Sequence, residues 1–274
     1  MKRIFIFGIL VSLMTACGSD ENGNARKYLV SAQQCYERGE FAEAKSLIDS
    51  VRIVYPKAFD ARREGIDLLQ KVEIAEAERT IAYHDSVISV LNERFEEVRR
   101  GFVYEKNEEY QDAGIYCKAS QVADSNIGRN YIRAQVDEQG RLTLISNYSG
   151  SSYIHHRSLH LSLGDNYLDT PVSDDFYEFK DLGLCYERCN FADGKDGGAA
   201  AFIAMNKDRN IDVKLIGDKT VSMQMKASDR NAVAEVYSLS LLLKSIAEAT
   251  AMRDEAKRKI QFVEANIARK DSLQ

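Results

Sequence analysis

The sequence predicts an α+β protein in which helices at both ends of the chain flank an inserted antiparallel β domain. Apolar residues recur with heptad spacing at 71–102 and 228–272, whereas 103–226 contains short runs in which apolar and polar residues alternate. Only two prolines occur in 274 residues, which favours long uninterrupted helices. The formal charge of -5 argues against a nucleic-acid partner held by a basic surface.

Residues 1–16 have the pattern of an export leader. Two basic residues precede an apolar run at 4–14 that is too short to span a bilayer. The run ends in Met14-Thr15-Ala16-Cys17, which resembles the lipobox of bacterial lipoproteins. That resemblance implies cleavage before Cys17, acylation of Cys17 and a lipid anchor in the outer membrane. The alternative is an ordinary secretory leader in which Cys17 is incidental.

Residues 17–23 are predicted to be a tether between the anchor and the folded chain. The stretch Gly18-Ser19-Asp20-Glu21-Asn22 is similar to the surface-export signal of Bacteroidetes-type lipoproteins. The resemblance implies display on the cell surface, and the alternative is a plain solvated tether on the periplasmic face.

Residues 24–70 predict a helical hairpin and the start of a third helix. Small, aromatic and turn residues follow the spacing of a tetratricopeptide (TPR) repeat, at Ala32, Gly39, Phe41, Ala44, Ile48 and Pro56. The resemblance implies paired helices over 24–56, followed by the first helix of a second repeat. The functional interpretation is that the hairpin binds a partner in a concave groove. Because so few repeats seldom form a complete groove, the alternative is a hairpin with a structural role.

Two seams of apolar residues predict an antiparallel coiled coil of helices 71–102 and 228–272. The first seam repeats at Ile74, Ile81, Ile88, Phe95 and Phe102, and the second at Leu239, Ile246, Arg253, Ile260 and Ile267. Pairing within one chain predicts a monomer with a β head on a helical stalk. Pairing between chains predicts a homodimer.

The inserted domain at 103–226 is predicted to be a sandwich or a partly open barrel. Eight short strands alternate with turn signals, at 131–136, 142–146, 158–163, 175–179, 184–187, 200–205, 211–216 and 220–226. The turns at 137–140 and 217–219 predict hairpins.

The β domain contains weak candidates for metal ligands and one for a disulfide. His156 and His160 share one face of a strand, and Asp165 and Asp169 supply oxygen ligands nearby. Their spacing matches no established metal motif, so we expect neither a metal nor a cofactor. A disulfide between Cys185 and Cys189 requires a tight turn, because one straight strand would separate them by about 13 Å.

The abundant tyrosines of the β domain predict recognition of a protein or a glycan. The candidate contact residues are Tyr148, Tyr153, Tyr167 and Tyr177. No established pairing of nucleophile and base occurs in the sequence. We therefore expect a membrane-anchored, non-catalytic binding or scaffold lipoprotein. The alternatives are an assembly factor that oligomerises through its helices and a hydrolase in the β domain.

Overall fold

The computed structural model describes residues 21–106, 108–109, 113–192 and 194–272. The predicted leader and the predicted acylation site Cys17 lie outside these described residues. Within these described ranges, five α-helices and two antiparallel sheets confirm the predicted mixture of helix and antiparallel sheet. The described chain divides into a helical unit, 21–81 with 255–272, and a mixed unit, 82–254.

The helices differ from the predicted segments mainly in their boundaries. They are α1 (Glu21–Glu37), α2 (Phe41–Val54), α3 (Phe59–Val98), α4 (Ala199–Met205) and α5 (Ala227–Asp271). The predicted boundary between 24–70 and 71–102 falls inside α3, which is continuous because no proline interrupts it. The last three residues of the predicted tether belong to α1.

In the helical unit, α1, α2 and the first part of α3 share one apolar core. Gly39 has φ +73°, the left-handed conformation that lets the chain turn sharply between α1 and α2. A Cβ atom on Gly65 of α3 would lie 3.3 Å from Leu29 and 3.5 Å from Ile48. The absence of a side chain at Gly65 therefore allows α3 to approach both helices closely.

Ion pairs within each unit show that α3 and α5 run antiparallel. In the helical unit, Nζ of Lys259 lies 3.2 Å from Glu76, and Nζ of Lys270 lies 2.5 Å from Asp67. In the mixed unit, Arg253 lies 3.6 Å from Asp85. Residues nearer the start of α3 are thus paired with residues nearer the end of α5.

The strands of the mixed unit form a six-stranded and a four-stranded sheet. The six-stranded sheet contains β1 (Val103–Glu105), β2 (Ile115–Cys117), β3 (Tyr131–Asp137), β4 (Leu142–Gly150), β7 (Asp175–Asp181) and β8 (Leu184–Ala192). The four-stranded sheet contains β5 (Ser158–Leu163), β6 (Asn166–Asp169), β9 (Asp212–Ile216) and β10 (Thr220–Gln224). Their orders are β1-β2-β3-β4-β8-β7 and β10-β9-β5-β6, and every neighbouring pair is antiparallel.

The predicted strand at 200–205 is wrong, because these residues form helix α4. Four of the seven residues of α4 are alanine, the residue with the highest helix propensity. The carboxylate of Asp196 accepts hydrogen bonds from the backbone N–H of Ala200 at 2.8 Å and of Gly198 at 3.3 Å. These bonds satisfy donors at the start of the helix that the helix itself leaves unpaired.

Both sheets contribute to one apolar core together with α4 and α5. Its fully buried members include Ile132, Leu144, Phe191, Leu161, Leu215, Ile203 and Leu239. Along β8, Cys185, Glu187, Cys189 and Phe191 are buried, and the residues between them are partly exposed. This alternation gives the six-stranded sheet a core face and an opposite, outer face.

Candidate functional site

Four polar and aromatic residues form one row across the outer face of the six-stranded sheet. Tyr131 of β3 lies opposite Asn147 of β4, Asn147 lies opposite Arg188 of β8, and Arg188 lies opposite Tyr177 of β7. Residues directly opposite each other in antiparallel strands project from the same face. The register therefore places these four side chains side by side.

A second row on the same face adds two stacked aromatic rings. Phe179 lies opposite Tyr186, and their ring centroids are 4.8 Å apart with only 10° between the planes. The ring of Tyr177 lies 5.6 Å from that of Phe179. Because β7 is an edge strand, Tyr177 keeps 61% of its surface exposed. The three rings thus form an accessible apolar surface.

These two rows line a cavity of about 260 Å³, which we call the aromatic–arginine cleft. Its lining consists of Asn126, Ile127, Gly128, Arg129, Tyr131, Asn147, Tyr148, Tyr177, Phe179, Tyr186, Glu187 and Arg188. The cleft is a concave site that combines aromatic walls with a few polar groups, which is the usual composition of a ligand site.

Arg188 lies in the cleft without a close anionic partner. Burial and the nearby charge of Arg133 lower the pKa of its guanidinium. Its side chain donates a hydrogen bond to Oδ1 of Asn190 at 3.2 Å. Within the part of the chain that the structure describes, no carboxylate lies within 4.0 Å of Arg188. The positive charge of Arg188 is therefore only weakly compensated.

Two further donors of the cleft are buried without hydrogen-bond partners among the described residues. They are Nδ2 of Asn147 and Nε of Arg129. The other end of the Arg129 guanidinium donates to Asp229 at 2.6 Å, and its Cζ atom lies 4.6 Å from the centre of the Tyr131 ring. An unpaired buried donor costs free energy, so a ligand that accepts a hydrogen bond there would be stabilised.

The core face beneath the cleft contains a Ser–His–Glu hydrogen-bond network. Nδ1 of His156 lies 2.7 Å from Oε2 of Glu187, and Nε2 of His156 lies 2.8 Å from Oγ of Ser146. A carboxylate only accepts, so Nδ1 of a neutral His156 donates to Glu187 and the Ser146 hydroxyl donates to Nε2. This is the order of groups in a serine hydrolase triad.

The side chains of the Ser–His–Glu network are too deeply buried for a substrate to contact them. Ser146, His156 and Glu187 have relative exposures of 0%, 1% and 3%, and neither Ser146 nor His156 lines the cleft. Burial lowers the pKa of His156 more than Glu187 raises it. Burial raises the pKa of Glu187, but hydrogen bonds from His156 and three backbone amides outweigh this effect and lower it. The network joins β4 and β8 of the six-stranded sheet to the segment that precedes β5.

A second cluster of side chains consists of His155, Glu178 and Glu187. Their potential metal-ligand atoms lie within 4.8 Å of one another. His155 adopts φ +51°, and its Nδ1 lies 2.8 Å from Oε1 of Glu178. The carboxylate of Glu187 already accepts three backbone N–H groups and the His156 ring. These four bonds occupy its lone pairs, so a cation would have to displace at least one of them.

The predicted tyrosine contacts do not form one surface. Tyr148 and Tyr177 both line the cleft, but Tyr148 is only 8% exposed and donates its hydroxyl to the carbonyl of Ser152. Tyr153 stacks on His155. Tyr167 lies on β6 of the other sheet, is 67% exposed and stacks on His160.

The four weak metal candidates do not assemble into a common ligand set among the described residues. His156 is buried in the network with Ser146 and Glu187. His160 and Asp169 are opposite each other in β5 and β6, and Nδ1 of His160 lies 2.7 Å from Oδ1 of Asp169. Asp165 lies in the exposed turn between these strands.

The predicted disulfide between Cys185 and Cys189 is wrong for this structure. Both residues belong to the continuous strand β8, and both are buried free thiols. Four residues of extended strand separate their backbones by about 13 Å, beyond the reach of a disulfide. Burial raises the pKa of the Cys189 thiol to about 12, and the thiol donates to the carbonyl of His156.

Sequence reasoning missed Arg188, Asn147, Phe179 and Tyr186 as cleft residues. The alternation Tyr186-Glu187-Arg188 was a local signal, since it places one of two adjacent charged residues on the core face of the strand, where a charged residue is rare unless it is paired. The cleft itself depends on pairing strands that are distant in sequence, so no single motif marks it.

Comparison of the chain with protein-family models, curated proteins and solved structures finds no match. No helix in the described ranges has the length and apolar character needed to cross a membrane.

Proposed function

We propose that this chain is a non-catalytic binding lipoprotein of the cell envelope that takes its ligand in the aromatic–arginine cleft. The observation that carries this proposal is the convergence of three accessible rings and a weakly compensated arginine on one concave surface. Aromatic side chains and arginine are the residue types that contribute most to recognition surfaces.

A binding role is favoured over hydrolysis because the Ser–His–Glu network is inaccessible. A serine nucleophile must contact the carbonyl that it attacks, whereas Ser146 is fully buried on the core face. The cleft, by contrast, is open to solvent at Tyr177 and Phe179. The hydrogen bonds of the network support the sheet that forms the floor of the cleft.

The anchor in this proposal rests on the sequence of residues 1–17. Acylation of Cys17 would hold the chain at the outer membrane, on the periplasmic face or at the cell surface. The TPR-like hairpin and a coiled-coil pairing of α3 with α5 belong to the same proposal. Two of the predicted seam positions, Phe95 and Ile246, are each less exposed than both of their neighbours in sequence, which supports the pairing.

Metabolic labelling with a radioactive fatty acid tests the anchor. We expect the full chain expressed in a bacterium to incorporate label, and Cys17→Ser to abolish it. Ser19→Ala is the control because it changes the adjacent tether and leaves the thiol. Equal labelling of the full chain and of Cys17→Ser would contradict acylation at this site.

Binding of small ring compounds tests the cleft. Residues 18–274, which include every described residue, would be titrated with benzoate, benzamide, benzylamine, galacturonate and galactose by ligand-observed NMR. We expect at least one compound to bind and Tyr177→Ala to weaken that binding. Tyr167→Ala is the matched control, because Tyr167 is similarly exposed but lies outside the cleft. Binding that is equally sensitive to both substitutions would contradict the cleft as the site.

A second candidate function is assembly through the long helices. Tyr83 and Val90 lie seven residues apart on α3 and are each 65% exposed, so both are available for contact with a second helix. Light scattering on residues 18–274 at several concentrations separates the two candidates. A stable dimer would favour assembly, and a monomer at all concentrations would favour the binding module.

A further inference from the structure

We propose that the ligand of the aromatic–arginine cleft is an oxyanion, a carboxylate carried on a single ring. This inference rests on the proposed function and specifies the chemical class of its ligand. The oxyanion would pair with Arg188 and Asn147, and the ring would lie against Tyr177 and Phe179.

The first argument is the balance of charge in the cleft. Arg188 and Arg129 both line the cavity, and Arg129 alone has a close carboxylate partner, Asp229. Asp175 is near enough to favour the charged form of Arg188, but it does not form an ion pair with it within the described chain. The geometry leaves a planar guanidinium ready to bind two oxygens of an anion.

The second argument is the chemistry of the one acidic side chain among the described lining residues, Glu187. Its carboxylate is directed into the core and is fully engaged by Ile154, His155 and His156. It therefore does not provide a partner for a cationic ligand. The unpaired Nδ2 of Asn147, adjacent to Arg188 in the same row, adds a donor that suits an acceptor ligand.

The third argument is the size and shape of the cavity. A volume of about 260 Å³ is below the usual range for drug-sized ligands, which begins at about 300 Å³. It accommodates one ring and a small substituent. The stacked rings of Phe179 and Tyr186 and the tilted ring of Tyr177 offer flat faces for either an aromatic acid or an acidic sugar.

The experiment compares charged and neutral members of matched pairs. Dissociation constants for benzoate and benzamide, and for galacturonate and galactose, would be measured on residues 18–274 by ligand-observed NMR. We expect a dissociation constant of about 1 mM for the better acid, as its few atoms allow, and binding about tenfold weaker for its neutral counterpart. The pair with the larger difference identifies an aromatic acid or an acidic sugar as the source of the ring.

Two substitutions assign the preference to the cleft. Arg188→Gln should remove the preference for the acid, while Arg258→Gln, an exposed arginine of the helical unit, should leave it unchanged. Asn147→Asp should weaken the acid about tenfold and spare the neutral compound, because it places a carboxylate beside Arg188. Asn147→Asp provides an independent result if Arg188→Gln fails to fold.

The outcomes separate this inference from the function on which it rests. If acid and neutral compounds bind equally and their binding depends on Tyr177, the proposal that the ligand carries an oxyanion is overturned, and the cleft remains a binding site. Absence of binding by every compound would overturn both. An acid preference that survives Arg188→Gln and Asn147→Asp would overturn the assignment of the anion to this row.

Discussion

Oε2 of Glu187 lies 2.7 Å from Nδ1 of His156, and through this contact β8 holds the segment that leads from one sheet to the other. The same carboxylate accepts the backbone N–H groups of Ile154, His155 and His156, immediately before β5. The residue that follows it, Arg188, projects from the opposite face into the cleft. The buried network and the cleft therefore depend on the same strand.

Glu187→Gln should destabilise the chain by about 2–4 kcal/mol. The amide retains one acceptor oxygen but directs an NH₂ group toward donors that the carboxylate now satisfies. Urea unfolding monitored by circular dichroism measures the change. Glu178→Gln is the control, because Glu178 pairs with the exposed His155 and should cost much less. Equal losses for the two variants would contradict the central role of Glu187.

The contribution of His156 to stability should fall as the pH is lowered across its ordinary pKa, from about 7.5 to about 5.5, because His156 is neutral in the folded chain. Burial lowers its pKa below the ordinary value of 6.5, so its contribution is present above that value and declines as the pH falls below it. The lowered pKa of Glu187 adds a second decline below its ordinary value of 4.5.

The pKa of His155 is shifted in the opposite direction to that of His156, so its contribution to stability has the opposite dependence on pH. Its hydrogen bond to Glu178 raises its pKa above 6.5, so its contribution is complete below 6.5 and is lost as the pH rises through the raised value. Free energies of unfolding across the same pH range should decline more steeply in His155→Gln and less steeply in His156→Gln. Identical slopes in the three proteins would contradict this assignment of protonation states.

Gly140→Ala should be more destabilising than Gly164→Ala, although both glycines have positive φ. The left-handed conformation alone costs a residue with a side chain about 1–2 kcal/mol. At Gly140 a Cβ atom would also lie 2.7 Å from the backbone nitrogen of Lys244 and 2.8 Å from the carbonyl oxygen of Ser240. This collision with α5 adds about 1–3 kcal/mol, whereas nothing lies within 4 Å at Gly164. Thermal unfolding of both variants checks the order.

The four cysteines within the described chain should behave as protected thiols. Cys35, Cys117, Cys185 and Cys189 are all buried and free. A thiol reagent should therefore react slowly with folded residues 18–274 and should titrate all four after denaturation. Recovery of only two thiols from denatured, unreduced protein would show that a disulfide forms after all.

The helices were the most predictable part of the fold, because apolar spacing of 3.6 or 3.5 residues is a local signal. α5 begins and ends within one residue of the predicted segment 228–272. The error at 200–205 arose because an apolar run of six residues fits a buried strand and a short helix equally well. The alanines of α4 and the hydrogen bonds that the Asp196 carboxylate accepts at its start favour the helix.

The candidate site was less predictable because strand register is a long-range property. Tyr177 was identified from its residue type alone, whereas its neighbour Arg188 became part of a site only when β7 was paired with β8. Ser146 and Glu187 lie on opposite sides of His156 in sequence, at distances that match no hydrolase motif. Pairing of β4 with β8 brings them together.

The most direct test of ligand binding in the cleft is an NMR titration that follows the side-chain Nε–H resonance of Arg188. Addition of benzoate or galacturonate to residues 18–274 should shift this resonance together with the amides of Asn147 and Tyr177, and leave the amide of Tyr167 in place. Shifts confined to Tyr167 and β6, or absent from Arg188 at saturating acid, would contradict the aromatic–arginine cleft as the binding site.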